Sequence, residues 1–243
     1  MRRRQRPRLA LLTCVLAAGL GLLGCGGDAV GPASPIADDT TAEEILAKSR
    51  TAAKAASSFR LAGEIRQNGD TIELDLRFHK DKGVQGTVGI QDMTFEVVVI
   101  DRTAYLKADR ETWAQAGAGQ GAQLLVGKYI QISNDTAGFS DIMRVADPAR
   151  LLDESLTAAG TVTKGEVKQV NGVQAVALTE DGSADQGILY VSLQGEPYPV
   201  RVEGPSDEGA VDFTDWNVPV ELTAPPADQI ISFEELEQAA EAA

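Results

Sequence analysis

The chain contains very few of the side chains that usually carry catalysis or bind metals. Its 243 residues include one histidine, His79, and two cysteines, Cys14 and Cys25. These are too few for a structural zinc site, which takes four histidine and cysteine ligands. His79 is also the only histidine base available to a serine nucleophile, and no Gly-x-Ser-x-Gly motif is present. We therefore predict no catalytic residues, no metal and no cofactor.

Basic and aromatic residues are scarce as well. There are 22 basic against 36 acidic residues, a formal net charge of −14, and aromatic residues make up 5% of the chain. A surface this acidic repels the phosphate groups of nucleic acids, so we expect no nucleic-acid partner. Aliphatic residues are plentiful, and the chain is long enough to bury a sizeable core made from them.

The N-terminus has the pattern of an export signal. Five arginines precede an apolar stretch over 9–23, which is shorter than the ~20 residues that a membrane-spanning helix needs. Leu22-Leu23-Gly24-Cys25 then forms a lipobox. We predict that residues 1–24 are a lipoprotein signal peptide and that Cys25 becomes the lipid-modified first residue. An uncleaved N-terminal anchor is the alternative, and the export route, general secretory or twin-arginine, stays open.

These features predict a protein held by its N-terminal lipid at the extracytoplasmic face of the cell membrane. Two acyl chains suffice for stable anchoring, since each buried CH₂ contributes ~0.8 kcal/mol. Loss of five arginines leaves 17 basic residues against 36 acidic ones, a net charge of −19. Residues 25–40 are rich in Gly, Pro, Ala and Asp, which is typical of a flexible linker. We expect a single domain over 41–243.

Along the domain, the spacing of the apolar residues changes from that of a helix to the alternation of a strand. Thr41 and Glu44 form a capping box that predicts a helix ending near Ser57. Alternation then predicts antiparallel strands with tight turns at Asn68-Gly69 and Asn171-Gly172. The strands fall into two groups. Between them we predict a short strand closing at Trp113, a loop over 117–121, a possible helix over 139–145 and a helix from Pro148. Ser232 and Glu235 predict a last capping box.

We predict an α+β fold with one long antiparallel sheet and helices gathered on one face. Two domains around a helical insertion are the alternative. One sheet is preferred because neither group of strands has its own helical cover.

The order of these elements resembles a known family. The residues concerned are the lipobox, the helix beginning Glu43 to Ser49, the strand Val211 to Trp216, and the tail Pro225-Pro226-Ala227-Asp228. Together they are similar to the LppX/LprA/LprG-type lipoproteins of actinobacteria, and more distantly to the LolA/LolB-like fold, over about residues 40 to 230. The resemblance implies a highly curved half-barrel whose helices cover the concave side and enclose an apolar cavity for acyl chains.

The resemblance also implies a role in binding lipids or lipoglycans and carrying or presenting them in the cell envelope. The candidate cavity residues are the apolar positions of the alternating strands, with two leucines of the Pro148 helix as a lid by analogy: Leu61, Ile65, Ile72, Leu74, Leu76, Phe78, Phe95, Val97, Val99, Leu151 and Leu152. An envelope sensor or scaffold of the same fold that binds a protein partner is the alternative function. An envelope hydrolase has little support from the residue types.

Overall fold

The computed structural model of the protein describes residues 36–67, 69–132, 146–206, 208–233 and 235–236. They belong to a compact unit that runs from Pro32 to Ala243. The predicted signal segment, the lipobox with Cys25 and the possible helix over 139–145 lie outside the described residues. Within the described residues, no helix has the length and apolar character needed to cross a membrane.

The described part begins with a segment that leads into helix α1, Ala42–Ala55. The predicted capping box is confirmed: Thr41 Oγ1 accepts a hydrogen bond from the backbone N–H of Glu44, and the Glu44 carboxylate accepts one from the N–H of Thr41. These two bonds satisfy two of the backbone donors that a helix N-terminus leaves without partners. Ile45 and Ala53 on the buried side of the helix are 0% and 1% exposed.

Among the described residues there are twelve strands, and most of them follow the alternating apolar pattern. They are β1 Ser58–Gln67, β2 Asp70–His79, β3 Gly83–Ile90, β4 Met93–Ile100, β5 Thr103–Lys107, β6 Tyr129–Ile132, β7 Val162–Val170, β8 Val173–Glu180, β9 Ser183–Ser192, β10 Pro199–Glu203, β11 Gly209–Thr214 and β12 Ile230–Ser232. The hairpins predicted at the two Asn-Gly turns are confirmed, since β1 pairs with β2 and β7 pairs with β8.

The strands form one open sheet in the order β12-β6-β5-β4-β3-β2-β1-β11-β10-β9-β8-β7. The prediction of a single sheet is therefore confirmed, and the two groups of strands meet where β1 pairs with β11. One detail of the prediction is wrong: the sheet is not wholly antiparallel, because β12 pairs with β6 in parallel. An irregular stretch follows β11 and leads to β12, which runs alongside β6 in the same direction.

Two predictions for the middle of the chain are corrected. Trp113 does not close a strand but ends the short helix α2, Arg110–Trp113, because the Asp109 carboxylate caps this helix through the N–H of Thr112 at 2.7 Å. The expected loop over 117–121 is wound into helical turns over 114–118 and 119–123. Helix α3, Pro148–Ser155, begins at the predicted Asp147-Pro148. The capping box of Ser232 and Glu235 is confirmed.

The helices lie against one face of the sheet, which we call the inner face. Ala53 of α1, Trp113 of α2 and Leu152 of α3 belong to the same buried cluster as Leu61 and Leu76 of the sheet. Arg50 joins the helices, because its Nε donates to the carbonyl oxygen of Leu156 at 2.9 Å. The opposite, outer face carries most of the charged side chains of the strands. This arrangement agrees with the predicted fold class of a curved sheet with helices on one side.

Candidate functional site

The strand register places the nine sheet residues proposed from the sequence on the inner face. Across β1 and β2, Leu61 lies opposite Leu76, and Ile65 lies opposite Ile72. Across β3 and β4, the row of Leu76 continues to Val97, and the row of Leu74 between them continues to Phe95. Successive side chains of a strand point to opposite faces, so residues two apart on these strands share the inner face.

The rows differ in exposure from one end of the sheet to the other. We call the end with the β1–β2 and β3–β4 turns the upper end. At the lower end, Phe78 and Val99 are 0% and 2% exposed, and Phe59 stacks on Phe78 with ring centroids 4.7 Å apart. Leu61, Leu76 and Val97 form the next row, also buried. These residues have the packing of an ordinary protein core.

Toward the upper end the inner face stays apolar but is no longer fully covered. Eight side chains there are partly exposed, and we call them the apolar rim: Ile65, Ile72, Leu74, Val88, Ile90, Met93, Phe95 and Leu106. Leu74, Val88, Phe95 and Leu106 still pack against the core cluster. Ile65, Ile72, Ile90 and Met93 form the outermost row, each opposite the next across neighbouring strands. A contiguous apolar strip of this kind is typical of a binding surface.

Two glycines allow close backbone approach between neighbouring strands of the sheet. A Cβ at Gly86 would lie 1.9 Å from the carbonyl oxygen of Asp75, and one at Gly63 would lie 2.2 Å from that of Ala210. Both have positive φ angles, 152° and 153°. Strand glycines mark bends and close backbone approach, so these positions let the sheet curve.

An aromatic pair borders the apolar rim. The ring of Phe95 meets that of Trp113 edge to face, with centroids 5.6 Å apart and planes at 70°. The Nε1–H of Trp113 is buried and has no hydrogen-bond partner within the structure described. A buried donor without an acceptor is rare in folded proteins and costs ~1–3 kcal/mol. It marks a place where a polar group of a ligand would be stabilised.

The other half of the inner face encloses a pocket of about 170 Å³. Leu178, Leu189 and Val202 form its floor, and Leu46 of α1 and Leu156 after α3 cover it. Its volume is close to that of an engineered apolar cavity of 150 Å³ that binds benzene. It therefore has room for a ring or for a short piece of an acyl chain.

A second pocket, about 290 Å³, lies at the lower end between α1 and α3. Its walls include Phe59, Lys80 and Leu152. Lys54 on α1 forms an ion pair with Asp153 on α3 at 2.6 Å across the same gap. Leu152, proposed as part of a lid, is 4% exposed and belongs to the core, whereas its neighbour Leu151 is partly exposed and packs against that core.

The outer face is organised by ion pairs. Arg60 donates through Nε and Nη2 to the two carboxylate oxygens of Asp75, at 2.7 and 2.8 Å. This side-chain hydrogen bonding lowers the pKa of Asp75 below its ordinary value. Tyr129 donates to Glu96 beside Lys107. Burial, followed by the hydrogen bond to Glu96, raises the pKa of Tyr129 to about 12. On these strands the outer face is thus polar and paired, whereas on β7 to β10 it carries a small buried cluster around Ala177 and Tyr190.

His79 lies at the end of β2, and its Nδ1 accepts a hydrogen bond from the N–H of Asp81 at 3.3 Å. Its cross-strand partner is Ser58, whose Oγ donates to the carbonyl oxygen of Val218. Across the residues that the structure describes, no group of three or more His, Cys, Asp and Glu side chains is close enough to hold a metal ion.

Several inner-face residues were not singled out from the sequence. Val88 and Ile90 lie on β3, where three glycines interrupt the alternation. The apolar residues at 84, 88 and 90 follow the alternating pattern of a strand, but the glycine at 86 interrupts that pattern. Leu178, Leu189, Val202 and Val211 belong to strands far along the chain, and only their pairing with β1 through β11 brings them onto the same face.

No family model matches the chain, and no curated protein sequence matches it. Solved structures do match. LprF from Mycobacterium bovis superposes with a TM-score of 0.53 at 16% identity, over 76% of this chain and 97% of LprF. The chain has the fold of LprF. The Mycobacterium tuberculosis lipoprotein LppX gives a TM-score of 0.46 at 14% identity, over 74% of this chain and 99% of LppX.

The match with LprF confirms, at the level of the fold, the resemblance to the LppX/LprG-type lipoproteins. At this identity the likeness concerns the path of the backbone. What the chain binds has to be argued from its own side chains.

Proposed function

We propose that this protein is a membrane-anchored lipoprotein that binds acyl chains of lipids or lipoglycans on the inner face of its sheet and carries or presents them in the cell envelope. One observation carries the proposal: the apolar rim is continuous with the packed core and yet partly open to solvent. An ordinary core would bury its side chains at both ends of the sheet, as Phe59 and Phe78 are buried at the lower end.

The energetics favour a chain-like apolar ligand. Each CH₂ removed from water contributes ~0.8 kcal/mol, so six methylenes laid on the rim contribute about 5 kcal/mol. The pocket of about 170 Å³ under α1 takes a further short segment. Neither site requires a specific polar partner along the chain, and this matches the aliphatic composition of the inner face.

A polar group completes the site. The unpaired Nε1–H of Trp113, next to Phe95, offers a donor to an ester or amide carbonyl where an acyl chain joins its head group. A few fixed polar groups in an apolar site are what ligand pockets use to orient a bound molecule.

The proposed anchor places this site near its ligand. Lipidation at Cys25 would hold the domain at the extracytoplasmic face of the membrane, where acyl chains are at high local concentration. Cys25→Ser is expected to leave the protein unlipidated and to change its membrane attachment. The measurement is metabolic labelling with an alkyne fatty acid. Labelling of the variant equal to that of the wild type would exclude Cys25 as the lipidation site.

Native mass spectrometry tests lipid binding directly. The mature lipidated chain, released from detergent in the instrument after incubation with a bacterial lipid extract, is expected to retain about one lipid. The Ile72→Asp, Ile90→Asp double variant alters the outermost row of the rim and should lose most of this occupancy. Thr87→Asp on the outer face is the matched control and should retain it. Equal occupancy in both variants, or no lipid in any of the proteins, would contradict the proposal.

A second variant tests the depth of the site. Val97 lies opposite Gly86 in the buried row next to the apolar rim. Val97→Trp would extend a large side chain toward the rim and is expected to reduce lipid occupancy at least several-fold while a cooperative unfolding transition remains. Undiminished occupancy would show that the ligand does not extend below the rim.

A further inference from the structure

The N-terminal linker between Cys25 and Ile36, which we call the tether, joins the domain at a defined position on the sheet, which we call its root. Ile36 is 8% exposed and packs with Ile45, Val176 and Val191. Lys164 of β7 donates to the carbonyl oxygens of Asp38 and Thr40, at 2.9 and 3.2 Å. The segment from Ile36 to Thr40 is therefore held against the inner face beside β7, which is one edge of the sheet.

The tether is short compared with the sheet. Ten residues separate Cys25 from Ile36. A flexible chain of this length reaches roughly 18 Å, and ~35–40 Å when fully extended. The other edge, β12, lies eleven strand positions from β7. At ~4.8 Å per position the path along the sheet is about 50 Å, longer than the extended tether.

The surface beside the root is suited to a bilayer. Val167 of β7 is 54% exposed and lies opposite Val176, so it borders the cluster that holds Ile36. Lys164 and Lys168 flank it, against one acidic residue of the strand, Glu166. In a mature chain of net charge −19, this strand carries a local excess of positive charge. A strand with this excess is attracted to an anionic leaflet, because the lysine amines keep their charge while Lys164 bonds to Asp38 and Thr40 and Lys168 lies over the ring of Tyr190.

We infer that the β7 edge of the sheet is the surface that lies against the lipid bilayer, with Val167 and its flanking lysines at the head-group level. The inference rests on the proposed function through the anchor at Cys25. It adds the orientation of the domain on the bilayer, and with that orientation a route by which the ligand would enter. Leu46, Val162, Leu178 and Leu189 belong both to the pocket of about 170 Å³ and to the cluster around Ile36. The pocket therefore lies one layer of side chains from the bilayer-facing edge.

A competing surface exists at the opposite edge of the sheet. Leu124 and Val126, just before β6, are 44% and 50% exposed, and Phe233, just after β12, is 43% exposed. By exposure alone these three residues form a larger apolar contact than Val167. The tether length and the position of Ile36 favour the β7 edge, and a measurement can compare the two edges directly.

The experiment uses single cysteines, because the mature chain has no thiol other than the lipidated Cys25. Full-length lipidated Val167→Cys and Leu124→Cys proteins are labelled with the same fluorophore and reconstituted in phosphatidylglycerol–phosphatidylcholine vesicles that carry a nitroxide on the lipid head group. Quenching at position 167 is expected to exceed that at position 124 at least three-fold. Equal quenching, or stronger quenching at 124, would overturn the inference.

A longer tether provides the matched control. Insertion of twenty Gly and Ser residues after Val30 brings the reach to roughly 30 Å, and the difference between the two positions should shrink. An unchanged difference would overturn the role of tether length.

Two further readouts separate this inference from the proposed function. Failure of the protein to float with the vesicles would refute the anchor and the orientation together. Oriented protein that takes up no fluorescent fatty acid would refute lipid binding and leave the orientation supported.

Discussion

Phe59 and Phe78 stack across β1 and β2 with their ring planes 12° apart, and they close the lower end of the inner face. Trp216 extends the stack, with its ring 5.1 Å from that of Phe59. The hydrophobic pattern that produces this closed end also produces the open rim four to six residues further along the same strands. The two ends differ in how far the helices cover the inner face and not in the type of residue.

Phe78→Ala should destabilise the protein by ~3–5 kcal/mol, because it leaves a cavity at a site that is 0% exposed. Phe95→Ala is the matched variant on the same face. It should cost clearly less in stability, since Phe95 is partly exposed, and more in lipid occupancy. Urea unfolding and native mass spectrometry measure the two effects. A rim residue that proved as costly to the fold as Phe78 would show that the rim is ordinary core.

Gly86→Ala should destabilise by about 3 kcal/mol or more, because the new Cβ would lie 1.9 Å from the carbonyl oxygen of Asp75 and the strands must separate. Gly172→Ala is the control. Its φ is also positive, 81°, but nothing lies within 4 Å, so only the backbone cost of ~1–2 kcal/mol remains. Circular dichroism during urea unfolding compares them. Equal costs would mean that close strand approach at Gly86 is not a constraint.

The Arg60–Asp75 pair predicts a pH effect. Hydrogen bonds from Arg60 lower the pKa of Asp75 in the folded state, so the stability they provide is present above the ordinary aspartate pKa and is lost as pH falls through the lowered value. Arg60→Met should cost ~0.5–1 kcal/mol at pH 7, since both side chains are about one-third exposed. The difference from wild type should shrink below about pH 4.

The matched control for this pair is Arg150→Met. It removes an exposed pair with Glu154 on α3, with both side chains at least half exposed. Its cost should be a few tenths of a kcal/mol. Guanidinium chloride would screen both pairs, so urea unfolding between pH 3 and pH 7 is the measurement. A cost of Arg60→Met that does not change with pH would refute the assignment.

Trp113→Phe separates packing from hydrogen bonding in the candidate site. It keeps an aromatic ring against Phe95 and removes the unpaired Nε1–H. Loss of a buried unpaired donor offsets part of the lost packing, so stability should change by less than about 2 kcal/mol. Affinity for an ester lipid should fall, and affinity for a hydrocarbon of equal length should not. Parallel losses for both ligands would exclude the donor role.

The alternating residues of β1, β2 and β4 were sufficient to predict the strands, their turns and the shared face of Leu61, Ile72 and Phe95. The reason is local: a period of two places every second side chain on one face, whatever lies above it. The capping boxes at Thr41 and Ser232 could be predicted for the same reason, because each hydrogen bond joins residues three apart. The helix at Trp113 was missed, since a single Asp109 cap outweighed a short apolar alternation.

The sequence by itself thus determined the local elements, the apolar face and the predicted anchor at Cys25. The tertiary structure decided what each part of that face does. Cover by α1, α2 and α3 buries Phe78 and leaves Ile72 partly exposed, although both belong to one strand. Pairing of β1 with β11 joins the two groups of strands, and the contact of Lys164 with Asp38 and Thr40 fixes where the tether leaves the sheet. These contacts join residues more than a hundred positions apart, a distance over which no local periodicity carries information.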